Sequence, residues 1–228
     1  MALVGVDSKR FEVRDSSILQ QMPWLTQETH ALRWMDHCGS EITHHDGRCC
    51  VEAREWFLGW ARSMEAASLV EGGMRAPTWL SDRFEWGPSA WPIPWCELIE
   101  QKVIDCGVFA ALAREVFLAQ GTPAFPAQAV IRYSDRCTRH WQQYWKEGDP
   151  GTSRELFPWV GSELVYHEIC VVESKPGVAR FYDSTWGNWY IPQSRLGYGS
   201  LVALRAFCSE DLQWGKYQIR PLEWLVIS

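Results

Sequence analysis

The chain has 228 residues, with 22 Lys and Arg against 28 Asp and Glu, so its formal net charge is −6 at pH 7. This balance argues against a nucleic-acid-binding surface as the main function, because such surfaces carry an excess of positive charge. The apolar fraction of 46% is typical of a folded globular protein. No run of about 18 apolar residues predicts a membrane-spanning helix. The N-terminus becomes charged before a signal peptide could develop, so we expect a cytoplasmic protein without a membrane partner.

Residues 1–95 are predicted to form a helical N-terminal part. A helix is expected from Thr26 to about Cys38, and a longer one from about Cys49 to Val70, where apolar residues recur at three- and four-residue steps. Residues 74–95 contain four Pro and four Trp, a composition that excludes a regular helix or a central strand. We therefore expect a packed loop that leads from this part to the rest of the chain.

Residues 96–228 are predicted to form the catalytic core. The apolar stretch from Cys106 to Gln120 predicts a helix that ends at Gly121, with Pro123 just beyond. Five β-like runs follow it, and residues 134–164 form a long excursion between the first two; the runs are 128–133, 165–173, 178–183, 189–191 and 201–207. One central helix packed on antiparallel strands predicts an α+β fold.

Three residues of this core have the properties of a thiol catalytic site. Cys106 lies at the start of a helix, where free N–H groups and the positive end of the dipole favour a thiolate. His167 lies on a predicted strand and can act as its base, and Asp183 ends the next strand and can orient the imidazole. Each alone has a simpler explanation: a buried structural cysteine, a core histidine and a turn aspartate.

The order of the strands supports this combination. Lys175-Pro176-Gly177 predicts a hairpin between the runs that carry His167 and Asp183. Those two residues are symmetric about Lys175. A register in which the numbers of paired residues add to an even total therefore places their side chains on one face, directly opposite or one diagonal step apart. A register shifted by one residue would separate them to opposite faces.

At these residues the chain resembles the transglutaminase-like superfamily. The strings DCGVFAALAREVFLAQGTPA, YHEICVV and FYDSTW are similar to the helix, histidine strand and aspartate strand of that family, and cover about 100–190. The resemblance implies a papain-like core in which Cys106, His167 and Asp183 form a triad. Asp105 and Gly107 depart from the family's usual Gln and bulky residue around the cysteine.

The resemblance also implies a class of reaction. Cys106 would form an acyl-thioester with a peptide, protein or carrier-bound acyl substrate, and an amine acceptor would resolve it to an amide. A cysteine peptidase or amidase that uses water, or a non-catalytic peptide-binding module, remains an alternative. The oligomeric state is not predicted.

Further residues are candidates around this site. The Cys106 N–H is one expected oxyanion donor, and Gln101, Trp95 or Trp91 could supply the second. Trp186 and Trp189 could line an apolar substrate groove. We expect no cofactor and no metal: the cluster His37-Cys38, His44-His45 and Cys49-Cys50 has residue types suited to zinc, yet its spacing matches no standard site.

Overall fold

The computed structural model describes residues 38–45, 47–65, 69–71, 74–87, 92–134, 164–191, 195–196 and 199–227. The predicted helix from Thr26 to Cys38 and the excursion at 134–164 lie almost wholly outside these ranges. Four helices occur within them: α1 (Arg48–Ser63), α2 (Leu80–Arg83), α3 (Trp95–Leu98) and α4 (Cys106–Ala119). No helix of the described residues is both long and apolar enough to cross a bilayer.

Fifteen strands complete the described structure. The strands before α4 have two or three residues, and the four strands of six or more residues all follow it. The strands are β1 (Ile42–Thr43), β2 (Leu69–Glu71), β3 (Met74–Ala76), β4 (Glu85–Trp86), β5 (Ile93–Pro94), β6 (Val103–Ile104), β7 (Ala124–Tyr133), β8 (Leu164–Lys175), β9 (Val178–Asp183), β10 (Asn188–Tyr190), β11 (Arg195–Leu196), β12 (Gly199–Ala206), β13 (Leu212–Trp214), β14 (Tyr217–Ile219) and β15 (Trp224–Val226).

The main sheet has nine strands, in the order β11-β12-β7-β8-β9-β13-β14, with β10 on β9 and β15 on β12. It is nearly closed into a barrel, and strands outweigh helices in the described chain. The predicted α+β class with a helix-packed, papain-like core is therefore wrong. The error arises because the strands after α4 are more numerous than expected and continue pairing around a curved sheet instead of ending in a small flat one.

The described residues of the N-terminal part differ from the predicted element bounds. The apolar stripe of α1 is present, with Cys50, Ala53, Phe57 and Ala61 buried, but the helix stops at Ser63 and residues 69–71 form a strand. The predicted loop at 74–95 contains β3, α2, β4 and β5. Its prolines and tryptophans exclude long elements, and these are only two to four residues each.

Two hydrophobic clusters cover the two faces of the main sheet. The first joins α1, α3 and α4 to one face of β8, through Cys170 and Val172. The second lies on the other face and contains Ile169, Val171 and Phe181. Because side chains alternate along a strand, the two clusters also show on which face of the main sheet each polar residue of β8 lies.

Candidate functional site

Cys106 is the first residue of α4, and Asp105 caps that helix. The Asp105 carboxylate accepts a hydrogen bond from the Val108 N–H at 2.9 Å, which satisfies one of the free donors of the first turn. After α4, Gly121 adopts a φ of +76°, which ends the helix and turns the chain into β7. The cysteine is thus held at the helix N-terminus, partly exposed.

The electrostatic surroundings of this cysteine differ from the expectation for a helix N-terminus alone. Burial raises the pKa of the Cys106 thiol well above its usual value, and the carboxylates of Asp105, Glu168 and Asp183 raise it further. The backbone N–H of Glu168, which is directed at the sulfur, acts in the opposite direction. The resting group is therefore a thiol, and a base must remove its proton before it can act as a nucleophile.

His167 and Asp183 form a buried pair. The His167 Nε2 lies 2.9 Å from the Asp183 Oδ1, and the two side chains are 5% and 0% exposed. An imidazole whose Nε2–H is given to a carboxylate presents its Nδ1 lone pair to a proton donor. The pair therefore has the arrangement of a base and its orienting acid.

A β-bulge makes this pairing possible. Strands β8 and β9 form the expected hairpin, with Cys170 opposite Tyr182 and Val171 opposite Phe181, which puts His167 one diagonal step from Asp183. The turn itself pairs Lys175 with Val178, and the register shifts between Glu173 and Lys175. Without that shift the turn would impose the odd register, and the two side chains would lie on opposite faces.

Asp183 is also fixed by residues that the sequence did not single out. Tyr190 donates its hydroxyl to the Asp183 Oδ2 at 2.6 Å, and the backbone N–H groups of Thr185 and Trp186 donate to Oδ1 at 3.1 and 3.3 Å. Tyr190 reaches the carboxylate because β10 pairs with β9 in a register that places Asn188 opposite Asp183. Only that register, which the sequence does not show, identifies the tyrosine.

The sulfur of Cys106 meets β8 at the edge of the strand. The amide of Glu168, the residue after His167, points at the sulfur, and a strand N–H lies in the plane of its sheet. Strand β7 pairs with one edge of β8 along 164–172. On the other edge, β9 pairs with β8 only from Cys170 onward, because β9 ends at Asp183, so this edge is not paired with β9 at Glu168. The thiol therefore lies beside the backbone of β8 near the end of β9, where the charge of Asp183 acts on it.

His167 and Glu168 serve different faces of β8. His167 shares its face with Ile169 and Val171, which belong to the second cluster. Glu168 lies on the α4 face, where its Oε1 accepts from the Tyr166 hydroxyl at 2.6 Å. Glu168 is only 6% exposed, so its carboxyl group is buried.

Glu168 belongs to a buried polar group under the start of α4. Burial and the charge of Glu41 raise the pKa of Glu168 well above its usual value, and burial likewise raises the pKa of Glu41. Glu168, as the protonated partner, donates a hydrogen bond to Glu41. The signal in the sequence was a Glu inside the apolar string HEICVV.

Gly107 lets α4 approach these carboxyl groups. A Cβ at this position would lie 2.5 Å from the Glu168 Oε2 and 2.9 Å from the Glu41 Cγ. This contact explains why position 107 holds a glycine instead of the bulky residue that the resemblance implies. The adjoining cavity, lined in part by Glu41, Arg114 and Glu168, measures about 10 Å³, which is room for about one water molecule and not for a substrate.

The aromatic and amide candidates have diverse placements. Trp95 is buried in the first cluster and lies 5.5 Å from the Phe57 ring. Trp189 is 8% exposed and packs on Phe117 and Tyr182. Trp186 is 39% exposed beside Asp183, Gln101 is exposed, and Trp91 lies outside the described residues. Trp186 is thus the candidate that combines exposure with contact to the pair.

No family model, curated protein or solved structure shows a significant match to this chain.

Proposed function

We propose that the protein is a thiol-dependent acyltransferase. The Cys106 sulfur attacks the carbonyl carbon of an acyl substrate, and His167 accepts the thiol proton and returns it to the leaving group. The acyl-thioester is then attacked by an amine, whose proton passes to His167 while the thiol is released. Asp183 holds the imidazole throughout and stabilises it when it is protonated.

The observation that carries this proposal is the buried His167–Asp183 pair, with the Cys106 thiol close enough for the charge of Asp183 to act on it. The Glu168 amide directed at the sulfur places it beside the backbone of His167, and the charge of Asp183 acts on the same thiol. The raised pKa makes a neighbouring base necessary, and His167 is the buried imidazole at this edge. A structural cysteine would need neither an oriented imidazole nor a carboxylate with four donors.

The start of α4 can stabilise the oxyanion that forms on attack. Asp105 occupies the Val108 N–H, and the Asp105 carbonyl accepts the Phe109 N–H at 3.0 Å. Cys106 is the first residue of α4, so its N–H has no acceptor within the helix and could donate to the oxyanion, and the helix dipole would add to its effect. Gln101, exposed on the approach to α4, is the remaining amide candidate for a second donor.

Hydrolysis is the second candidate, and one observation favours it. A long-lived acyl-thioester requires a site that excludes water, and Trp189, one of the two tryptophans expected to line an apolar groove, is packed in the core. If Trp186 alone covers the thioester, water can compete with the amine. The substrate under either candidate is a peptide, a protein or a carrier-bound acyl group.

An acyl-trapping experiment tests the proposal. The full chain is mixed with an aryl thioester of a short peptide, with and without a primary amine, and followed by intact-mass spectrometry and product analysis. We expect an adduct on Cys106 and an amide product whose rate rises with amine concentration. Hydrolysis unaffected by any amine would support the second candidate. A folded protein that forms no adduct and no product would support the non-catalytic peptide-binding module.

A further inference from the structure

Three cysteine side chains converge between α1 and α3. Cys49 and Cys50 belong to the first turn of α1, and Cys96 belongs to α3, 46 residues beyond Cys50. Their sulfur atoms all lie within 4.8 Å of one another, and the Cys50 and Cys96 sulfurs are 3.5 Å apart. Tetrahedral zinc with Zn–S bonds of about 2.3 Å holds its sulfurs roughly 3.8 Å apart. The three sulfurs are therefore close to the spacing that one zinc ion requires.

The backbone around this cluster favours negatively charged sulfur. Gly47, the N-cap of α1, offers no side-chain hydrogen bond, and the first turn contains no acidic residue. The free N–H groups and the positive dipole end of this 16-residue helix therefore face the cysteines. The His45 N–H also lies 3.4 Å from the Cys50 sulfur. Such N–H donors stabilise metal-bound thiolates.

His45 is the candidate for a fourth ligand. Its backbone N–H lies 3.4 Å from the Cys50 sulfur, and its exposed ring has Nε2 3.9 Å from the Oε1 of Glu97, the residue after Cys96. The ring nitrogens are not within 4.8 Å of all three sulfurs, so rotation of this exposed side chain would bring Nδ1 to the metal. A metal-bound histidine typically gives its other ring N–H to a carboxylate, and Glu97 is the neighbouring carboxylate.

We propose that the Cys49, Cys50 and Cys96 sulfurs and the His45 Nδ1 bind one zinc ion. Thiolate and imidazole donors select zinc over magnesium or calcium. Binding releases three thiol protons to solvent and leaves a complex with one net negative charge. Four protein ligands leave no open position, so this zinc is structural. The sequence did not predict it, because Cys96 is remote from the other ligands in the chain.

The zinc would fix α3 against the start of α1. The two helices already share the first hydrophobic cluster, in which Phe57 of α1 packs on Trp95 of α3. Residues 99–105 then lead directly from α3 to Cys106. The metal therefore clamps the segment that enters the catalytic helix, without taking part in the chemistry.

Metal analysis and cobalt substitution test this proposal. The full chain, purified under reducing conditions from medium that contains zinc, should hold about one zinc per chain by elemental mass spectrometry. Cys96→Ser should remove the metal, whereas Cys208→Ser, a change in the second cluster, should retain it. Apoprotein titrated with Co²⁺ should show thiolate-to-cobalt charge-transfer absorption that saturates at one equivalent.

Two adjacent histidines provide a matched pair of variants. His45→Ala should weaken zinc binding at least about tenfold, a loss of the size that even outer-shell partners produce. His44→Ala should leave the affinity unchanged, because the His44 ring packs near that of Trp95, with centroids 6.4 Å apart, and is not one of the proposed ligands. Both histidines are exposed, so neither replacement is expected to prevent folding. The pair therefore tests the proposal even when a cysteine variant does not fold.

Defined results would overturn the proposal. One is zinc content that is substoichiometric and equal in the wild type and Cys96→Ser. Another is a wild-type cobalt spectrum without charge-transfer absorption. A third is a Cys50–Cys96 disulfide that persists under the same reducing conditions, found as a crosslinked peptide two hydrogens lighter, because the cluster would then be a redox pair.

Discussion

His167 and Glu168 are consecutive residues of one strand, and their side chains lie on opposite faces of the main sheet. His167 joins Asp183 at the end of β9, and Glu168 joins Tyr166 and Glu41 below α4. Cys106 reaches the strand edge between them. A single short segment thus supplies both the proposed base and a buried carboxyl whose charge raises the pKa of the thiol.

The first prediction concerns two of the proposed catalytic side chains. Cys106→Ala should abolish formation of the acyl adduct, because it removes the nucleophile. Asp183→Asn should lower the rate by up to about 10⁴-fold, since it disturbs the imidazole without removing it. Both are measured with the thioester assay on protein shown to be folded by circular dichroism.

Cys170→Ala is the matched control for that experiment. Cys170 is fully buried in the first cluster, and burial raises its pKa to about 12. This variant should lose stability and keep its acyl-transfer rate per folded molecule. Loss of the adduct in both cysteine variants, with both folded, would contradict the assignment of Cys106.

The second prediction compares two tyrosines. Tyr190→Phe removes the hydroxyl that Asp183 accepts at 2.6 Å, and should cost about 2 kcal/mol of unfolding free energy, the usual range for a hydrogen bond to a charged group. It should also slow acyl transfer, because the carboxylate that orients His167 loses one of its donors. Urea unfolding and the thioester assay measure these two effects.

Tyr182→Phe is the control for that change. Tyr182 precedes Asp183, and its buried hydroxyl has no hydrogen-bond partner among the described residues. Removing such a hydroxyl should be neutral or stabilising. Equal destabilisation by the two replacements would show that the Tyr190–Asp183 hydrogen bond has no special role.

The third prediction concerns the pH dependence of stability. The folded-state pKa of Glu168 is raised by burial and by Glu41, so the folded state binds a proton more tightly than the unfolded state. This contribution is full below the unfolded Glu pKa of about 4.3 and declines as pH rises toward the raised value. For one proton the decline is at most about 1.4 kcal/mol per pH unit.

Glu168→Gln should reduce that decline. The amide keeps an acceptor for Tyr166 and a donor for Glu41, and it carries no charge at any pH. The variant should therefore gain stability relative to the wild type as pH rises from 5 to 8 in denaturant titrations. Replacement of the exposed Glu210 by Gln should leave the profile unchanged, and a Glu168→Gln profile parallel to that of the wild type would refute the argument.

The fourth prediction separates the charge of Asp105 from its capping. Asp105→Asn keeps an N-cap side chain and removes the charge that, after burial, contributes most to the raised pKa of Cys106. The thiol should therefore ionise at lower pH and react faster with iodoacetamide at a fixed pH near neutrality. The labelling rate measured against pH gives the pKa directly.

Asp105→Ala removes both properties. It should accelerate labelling in the same way and also destabilise the protein by about 1 kcal/mol, because the Val108 N–H loses its acceptor. If Asp105→Asn does not change the pH profile of labelling, the charge of Asp105 does not control the thiol.

Local patterns predicted the elements around the site better than the architecture. The helix from Cys106 was identified because its apolar residues, Gly121 and Pro123 are all local signals. The hairpin was identified because a turn signal separates two apolar strands. Closure of the sheet depends on pairs such as Leu204 with Ala129, which are far apart in the chain and leave no local pattern.

The same distinction applies to the site. His167 and Asp183 were identified from one hairpin, whereas Glu41 and Cys96 enter their clusters from distant segments. Burial also reversed the expected effect on Cys106, because the helix N-terminus favours a thiolate and the enclosed carboxylates disfavour it. Charges that meet only in the folded chain cannot be read from spacing.

The bulge between Glu173 and Lys175 makes this hairpin sensitive to the number of its residues. Around it, Ser174 donates to the Val178 carbonyl at 3.2 Å, and the Glu173 carboxylate accepts the Gly177 N–H at 2.7 Å. Deletion of one residue here would turn His167 away from Asp183. In alignments of homologous chains, insertions and deletions at this turn should therefore comprise an even number of residues. Variants with a turn of altered length should likewise retain activity only when the number of residues changes by an even number.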